Sequence, residues 1–236
     1  MKKSIKIGGL ITIITTASVL GIIYIPILID TWGPIPQFAS HDWIELDKIG
    51  NITKFHSTIG HGYPGDDNPT SDKHYFYQYD CYNDTTTKIS TFAPAYVRVV
   101  KIVWEEHVLK NGEIQGKQIH LQSIEHPSIT FVIFHQNIEK TGLEVGQILH
   151  SGDQVGYCDL REAVNIDIAV FRGFGTISWF QVISLDLLAK YEKRGVILEK
   201  IIKTDDQIAQ SEKDGYDFSH SDPSDIVDLT NTNPCS

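Results

Sequence analysis

The sequence predicts a mainly β protein: an antiparallel sandwich or barrel-like domain, with a transmembrane helix before it and a short helix after it. Two glycines, Gly146 and Gly152, bracket the run QILHS, and Gly156 follows inside a second strand-like run. Glycine reaches positive φ angles that other residues adopt only at a cost, so this spacing indicates strand, tight turn and strand. Runs of β-forming residues also recur between turn residues about every 8–15 positions, which is typical of an antiparallel β domain.

The length and charge of the chain limit the classes of protein to which it can belong. The chain has 236 residues, enough for one sizeable domain with appendages. Its formal net charge of −10 excludes a general nucleic-acid binder, because phosphates require a basic surface.

Residues 1–30 are predicted to form a membrane anchor. Lys2, Lys3 and Lys6 precede a run without charge from 7 to 29. At about 1.5 Å per residue, this run is long enough to cross a hydrocarbon core of roughly 30 Å. The basic flank lies before it and an acidic or neutral segment after it, so a single-pass protein in the cell membrane with an extracellular remainder is expected. The alternative is an uncleaved or cleaved signal peptide.

Residues 31–45 are predicted to be a linker, because prolines interrupt them. Trp32 and Trp43 in this segment are expected at the membrane surface. The β domain is then predicted over 46–183.

Within that domain, a long turn-rich stretch is followed by strands. The run SITFVIFHQNI is almost continuously apolar and is predicted to be a central strand. In KQIHLQSIE, apolar and polar residues alternate, which places Ile119 and Leu121 on the inner face. NGEIQGK at 111–117 is predicted to be a hairpin loop. The predicted strands are 73–80, 90–106, 117–125 and 128–138.

Residues 184–203 are predicted to be helical. Ser184 is a suitable N-cap, and Leu185, Leu188 and Ala189 form one apolar face. The acidic, Ser- and Asn-containing stretch 204–236 is predicted to be disordered.

The chain contains three cysteines. In an oxidising exterior, Cys81 and Cys158 are the expected disulfide pair because both lie in the predicted domain, with Cys235 left over. Three thiols without a disulfide are the alternative, since sequence does not show which Cα atoms lie close enough.

Four segments in order resemble the lysostaphin-type peptidoglycan endopeptidase family. They are the turn and strand at 92–103, ITFVIFH at 129–135, the paired turn at 143–157 and NIDIAVF at 165–171. The resemblance covers roughly residues 50–183. It implies a compact antiparallel β fold of the duplicated hybrid-motif type, related to biotinyl and lipoyl domains.

The family resemblance also implies a zinc site. In the family, Zn²⁺ is held by a His-x-x-x-Asp motif and by the second histidine of His-x-His, while a Tyr-x-His histidine acts near the attacked amide. On this chain, His135 matches the histidine of Tyr-x-His, but Ile133 replaces the tyrosine. Asn165 stands at the first position of His-x-His, and Asp167 stands at the second.

The upstream half of the motif is also altered. Asp80 matches the ligand aspartate, but Phe76 stands four residues before it, and His74 is the nearest histidine. The candidate metal ligands are therefore His74, Asp80 and Asp167. His135 is the candidate catalytic residue.

These replacements predict a degenerate site. An amide has no useful pKa for proton transfer, and losing one general acid–base group lowers a rate by about 10²–10⁴-fold. Fewer imidazole ligands weaken zinc binding and favour harder divalent cations. We therefore expect a non-catalytic domain without a required cofactor that binds a cell-envelope polymer or a surface protein. The alternatives are an atypical metal-dependent peptide hydrolase, with Zn²⁺ or another divalent cation, and a structural or carrier-like module.

Overall fold

The computed structural model describes residues 30–60, 70–82, 87–108, 114–159, 166–214, 222–230 and 235. The chain divides into two compact units, Met1–Ile35 and Pro36–Ser236, and the elements below belong to the second. The predicted anchor lies outside the described residues except for its last position. Within the described ranges, no helix has both the length and the apolar character needed to cross a membrane.

Two antiparallel sheets form the domain. The strands are β1 Ile49–Thr53, β2 His74–Gln78, β3 Lys88–Phe92, β4 Val97–Val108, β5 Ile114–Ser123, β6 Ile129–Ile133, β7 Gln136–Asn137, β8 Ile148–Leu149, β9 Gln154–Asp159, β10 Ile166–Arg172, β11 Gly175–Ile177 and β12 Ile226–Asp228. Within the described residues, the larger sheet has the order β12-β1-β2-β10-β6-β5-β4-β8, with β11 also paired to β10. The smaller sheet has the order β3-β9-β7. The mainly antiparallel β class predicted from the sequence is confirmed.

Short helices lie between β11 and β12 in the chain. They are α1 Trp179–Val182, α2 Leu185–Glu192, α3 Leu198–Ile201 and α4 Asp205–Asp214. Ser184 caps α2, as predicted, because its hydroxyl accepts a hydrogen bond from the Leu187 N–H at 3.3 Å. The predicted apolar face is partly wrong: Leu185 is exposed, whereas Leu187 and Tyr191 are buried.

The apolar run that forms β6 lies between β10 and β5 in the larger sheet, so the predicted central strand is confirmed. Ile133 pairs with Ile119 on one side and Ile168 on the other. All three side chains are fully buried or nearly so. A strand with neighbours on both sides and both faces covered has no position at which a polar residue is easily solvated, which explains the nearly continuous apolar sequence.

The turn predicted between β8 and β9 is present. Gly146 and Gly152 have φ angles of +95° and +90°. A Cβ atom at Gly152 would also lie 3.0 Å from the His41 ring, so glycine is needed there for its conformation and for close packing.

The predicted linker is part of the fold from Ala39 onward. Trp43 is fully buried and its ring lies 4.8 Å from that of Phe76, edge to face. Ile44 forms a bridge with Thr91 of β3. The placement of Trp43 at a membrane surface was wrong, because burying this indole against the sheet removes a large apolar area from water.

The predicted disorder of the C-terminal stretch is wrong for its described residues. Helix α4 forms there, and β12 pairs antiparallel with β1 at the edge of the larger sheet. Lys203 and Asp225 form an ion pair at 2.9 Å, and both side chains are buried. Asp225 also accepts hydrogen bonds from the N–H and hydroxyl groups of Thr58. This polar anchor offsets the low apolar content that predicted disorder.

The expected disulfide partner was also wrong. Cys81 pairs with Cys235, whose Cα atoms lie 5.6 Å apart, across a sequence separation of 154 residues. Cys158 lies in β9, where its side chain is fully buried. The exposed turn that carries Cys81 therefore meets the returning C-terminal segment and not the small sheet.

Candidate functional site

The site lies on one face of the larger sheet, where β2 and β10 are neighbours. In their register, Asp167 pairs with Tyr75 and Ile168 pairs with His74. Successive side chains of a strand point to opposite faces, so Asp167 and His74 project on opposite sides of the sheet. Lys73, two residues before Tyr75, shares the face of Asp167.

Lys73 and Asp167 form a buried ion pair on this face. The Lys73 Nζ atom donates to Asp167 Oδ2 at 2.7 Å, and the two side chains are 2% and 0% exposed. The ammonium also lies 4.1 Å from the centroid of the Phe134 ring. An ammonium over an aromatic face is attracted by the ring quadrupole, so Phe134 offsets part of the cost of burying the charge.

His135 lies between β6 and β7 and contacts two carboxylates. Its Nε2 atom lies 3.0 Å from Asp167 Oδ1, and its Nδ1 atom lies 2.9 Å from Glu105 Oε2. The His135 backbone N–H also donates to Glu105 Oε2, at 3.0 Å. His135 has a φ of +57°, an uncommon angle for a residue with a Cβ atom, and these polar contacts hold it there.

We call Lys73, Asp167, His135 and Glu105 the ionic cluster. Its three other side chains are nearly inaccessible, whereas the His135 side chain is 21% exposed. His135 is therefore the member through which the cluster meets solvent.

The cluster shifts the pKa values of its members. Burial lowers the pKa of His135, but its close polar contacts with Asp167 and Glu105 and the charges of the two carboxylates outweigh burial and raise the pKa to about 10. Burial raises the pKa of Asp167, but the charge of Lys73 and the contact with His135 lower it to about 2. The pKa of Lys73 is likewise raised against burial, mainly by the charge of Asp167. At neutral pH, therefore, Lys73 and His135 are cationic and Asp167 is anionic.

Not every acceptor in the cluster is saturated by hydrogen bonds. Within the described part of the chain, Asp167 Oδ1 and Glu105 Oε1 are buried without a hydrogen-bond partner. His135 Nε2 lies 3.0 Å from Asp167 Oδ1, so this oxygen is in contact with a positively charged ring. Since buried carboxylates cost several kcal/mol each when left without counter-charges, the two cations are what makes this arrangement tolerable.

A glycine permits the close approach of β5 to the cluster. A Cβ atom at Gly116 would lie 2.8 Å from Glu105 Oε2 and 2.9 Å from the Cα atom of His135. Gly116 also has a φ of +73°. Both its conformation and its lack of a side chain are therefore needed here.

Of the four residues predicted from the family resemblance, His135 and Asp167 lie together. His74 lies on the opposite face of the sheet, where its Nδ1 atom is 2.8 Å from the Thr53 carbonyl oxygen and its Nε2 atom is 2.7 Å from Ser178 Oγ. Burial lowers the pKa of His74 to about 4, so its ring is neutral at pH 7. It packs against the ring of Phe180 at 5.1 Å, as a core residue does.

Asp80 lies away from the ionic cluster. It is exposed in a 3₁₀ turn, Asp80–Tyr82, that follows β2. Tyr75, the residue of β2 paired with Asp167, is five positions earlier in the chain, a separation of roughly 16 Å for extended backbone.

The donor set of the cluster does not fit a zinc ion. A zinc ligand must offer a lone pair from neutral imidazole or from carboxylate, and a catalytic site needs three such ligands with one open position. Both ring nitrogens of His135 face carboxylates, and the ammonium of Lys73 already occupies one oxygen of Asp167. Among the described residues, no group of three His, Cys, Asp or Glu side chains is arranged to hold a metal ion.

The same contacts limit the chemistry of His135. A general base must be neutral, and a group whose pKa is near 10 is protonated at physiological pH. The cluster is therefore suited to holding β2, β10, the β6–β7 junction and β4 together, and not to activating water.

Sequence reasoning missed Lys73 and Glu105. Both lie within predicted strands, 73–80 and 90–106, and were not singled out as candidate site residues. One signal was available in the sequence. Side chains alternate between the two faces of a sheet along a strand, so Lys73 shares a face with Tyr75 and not with His74. Lys73 must therefore share the face of whichever residue pairs with Tyr75. Finding that group required the strand register.

Comparisons with known proteins give structural likeness and no sequence match. No family model matches the chain, and no curated protein matches it by sequence. The fold is similar to Csd3 of Helicobacter pylori in its orthorhombic crystal, with 13% identity over 83% of this chain and 48% of that one, at a TM-score of 0.44. The chain thus spans about half the length of Csd3.

Two further solved structures are similar over most of their own length. The SpoIIQ–SpoIIIAH pore-forming complex matches at 9% identity over 65% of this chain and 97% of that chain, with a TM-score of 0.42. The catalytic domain of lysostaphin from Staphylococcus simulans matches at 13% identity over 55% of this chain and 85% of that one, with a TM-score of 0.38. The structural similarity predicted from the sequence motifs is therefore present, at identities and scores that assign no activity.

Proposed function

We propose that this chain is a membrane-anchored, externally facing domain of lysostaphin-like fold that lacks catalysis and binds a component of the cell envelope. The ionic cluster carries the proposal. Asp167 stands where the family resemblance puts a ligand histidine, and the buried ammonium of Lys73 is hydrogen-bonded to it at 2.7 Å. A fixed cation of the protein thus takes the electrostatic place of a metal ion beside that carboxylate.

The proposed location has two supports of its own. The uncharged run at 7–29 has the length of a membrane span, with lysines on one flank. The Cys81–Cys235 disulfide is typical of oxidising exteriors and rare in the cytosol.

Metal content and turnover test the loss of catalysis. The full chain is purified in detergent, equilibrated with Zn²⁺ and desalted, and its zinc is measured by elemental analysis. Hydrolysis of purified peptidoglycan and of glycine-rich peptides is then followed. We expect zinc far below one ion per chain and no hydrolysis above a blank.

Two variants make the assay specific. His135→Ala removes the candidate catalytic imidazole, and His150→Ala removes an exposed imidazole stacked on Tyr96 as a matched control. Stoichiometric zinc together with hydrolysis that His135→Ala abolishes and His150→Ala retains would overturn the proposal in favour of an atypical metal-dependent hydrolase.

A further inference from the structure

The outer edge of β4 is open beyond its first residues. The Val99 N–H donates to the Gln147 carbonyl at 2.9 Å, and the Val99 carbonyl accepts from the Gly146 N–H at 2.7 Å, so the backbone groups of Val99 point away from β5. Strand β8 pairs with β4 only at Val97 and Arg98.

The strand register shows which later groups also point outward. Val99 pairs with Leu121 of β5, Ile102 with Ile119 and Trp104 with Lys117. The alternation is counted along β5, because the bulge adds one residue to β4. The three partners on β5 lie two residues apart, and alternate pairs of an antiparallel ladder are equivalent. The N–H and C=O groups of Ile102 and Trp104 therefore point outward as those of Val99 do. No other described backbone group bonds to them. A strand edge of this kind is a template for another strand.

Exposed apolar side chains concentrate at this edge. Val100, the extra residue of a bulge in β4, is 37% exposed and Trp104 is 63% exposed. Ile148 of β8 and Val145, three residues before it, are 43% and 61% exposed. Scattered exposed apolar residues are ordinary, but four along one short open edge indicate a surface that is covered by something.

The charge of the edge is opposite to that of the protein. Arg98 and Lys101 are exposed on β4, and the Lys117 ammonium lies 4.2 Å from the Trp104 ring centroid. The chain as a whole has a net charge of −10. The described acidic side chains near this edge are Glu144, which is exposed before β8, and Glu105 of β4, which is 3% exposed and belongs to the ionic cluster. The exposed charges described on β4 are therefore basic. Charge complementarity therefore requires an acidic occupant along β4.

We infer that the open edge of β4 binds an extended, acidic and apolar segment of a partner protein by adding it as a further strand of the larger sheet. The inference rests on the proposed binding function and specifies its partner. Backbone bonds to Ile102 and Trp104 would supply the ladder, and alternate side chains would meet Val100 and Lys101. A second copy of this chain is disfavoured, because pairing two β4 edges sets Arg98 and Lys101 of each copy along the same short edge.

Peptide binding to the full chain in detergent tests the inference. The probe is a blocked, fluorescein-labelled peptide of about eight alternating glutamate and valine residues, which matches 101–108 in length. Its counterpart has lysine in place of glutamate. Fluorescence anisotropy should show binding of the glutamate peptide and at least about tenfold weaker binding of the lysine peptide. Equal binding of both peptides, or of neither, would overturn the inference.

Variants separate charge from backbone pairing. Arg98→Glu/Lys101→Glu should reverse the preference between the two peptides, whereas Lys193→Glu/Lys200→Glu, which changes two exposed lysines elsewhere, should leave it unchanged. Ile102→Pro removes an outward N–H that the domain does not use, so circular dichroism should remain native while peptide binding is lost. Ile102→Ala is its matched control and should bind.

Amide hydrogen exchange locates the ladder directly. The glutamate peptide should slow exchange at Ile102 and Trp104 and leave β12 unchanged. Protection at β12 without protection at β4 would overturn the inference. If the peptide does not bind and the chain shows neither bound zinc nor hydrolysis, only the proposed partner of β4 is rejected. If the chain shows zinc-dependent hydrolysis, the proposed function is rejected whether or not the peptide binds.

Discussion

Replacing Lys73 by methionine should destabilise the domain strongly. Methionine fills a similar volume but removes the ammonium that lies 2.7 Å from Asp167, a carboxylate with no exposed surface. Breaking a buried ion pair by deleting one partner costs about 3–5 kcal/mol, because the remaining charge stays buried. For a domain of this size, that loss lowers Tm by roughly 6–20 °C.

Urea unfolding of the full chain at pH 7, followed by circular dichroism, measures the effect. Lys200→Met is the matched control and should stay within about 0.5 kcal/mol of the parent, since Lys200 is exposed. The double variant Lys73→Met/Asp167→Asn should recover part of the loss, which makes the coupling energy of the cycle measurable. A Lys73→Met midpoint equal to that of the parent would refute the assignment of Lys73 as the counter-charge of Asp167.

Three other perturbations test the ionic cluster and the C-terminal attachment. The folded-state pKa of His135 is about 10, above its ordinary 6.5, so its contribution to the free energy of unfolding is complete below pH 6.5 and is lost as the pH rises to 10, by at most about 5 kcal/mol. His135→Gln should remove this pH dependence of the free energy of unfolding, and an unchanged slope would contradict the raised pKa. Gly116→Ala should cost about 1–3 kcal/mol in urea unfolding, because its Cβ meets Glu105 and its φ is +73°, and a neutral effect would disprove the close approach. Cys81→Ser should cost up to about 5 kcal/mol by the chain-entropy estimate for its 154-residue separation from Cys235, and reducing agent should then have no further effect on unfolding.

Local patterns were enough to anticipate some of the strands, such as β2, β5 and β6, but not β12, which lies in the stretch predicted to be disordered. Alternation in β5 placed Ile119 and Leu121 on the buried face, and the glycines around β8 specified a turn, because side-chain period and backbone φ preferences depend only on nearby residues. The cap at Ser184 was likewise readable, since its hydroxyl bonds a backbone N–H three residues away.

Long-range pairing lay beyond those patterns. The partner of Cys81 and the burial of Trp43 depend on which distant segments return to the same place. So does the difference between His74 and Lys73: adjacent in the chain, they face opposite sides of the sheet, and the register of β2 against β10 alone places Asp167 beside the lysine. The replacement of the two histidines of His-x-His by Asn165 and Asp167 was enough to predict that an ordinary zinc site is altered. The buried ammonium of Lys73 and the imidazolium of His135, which contacts two carboxylates, are brought to this place by the strand register. The sequence does not show this, because the interaction between charges depends on their distance in space and not on their spacing in the chain.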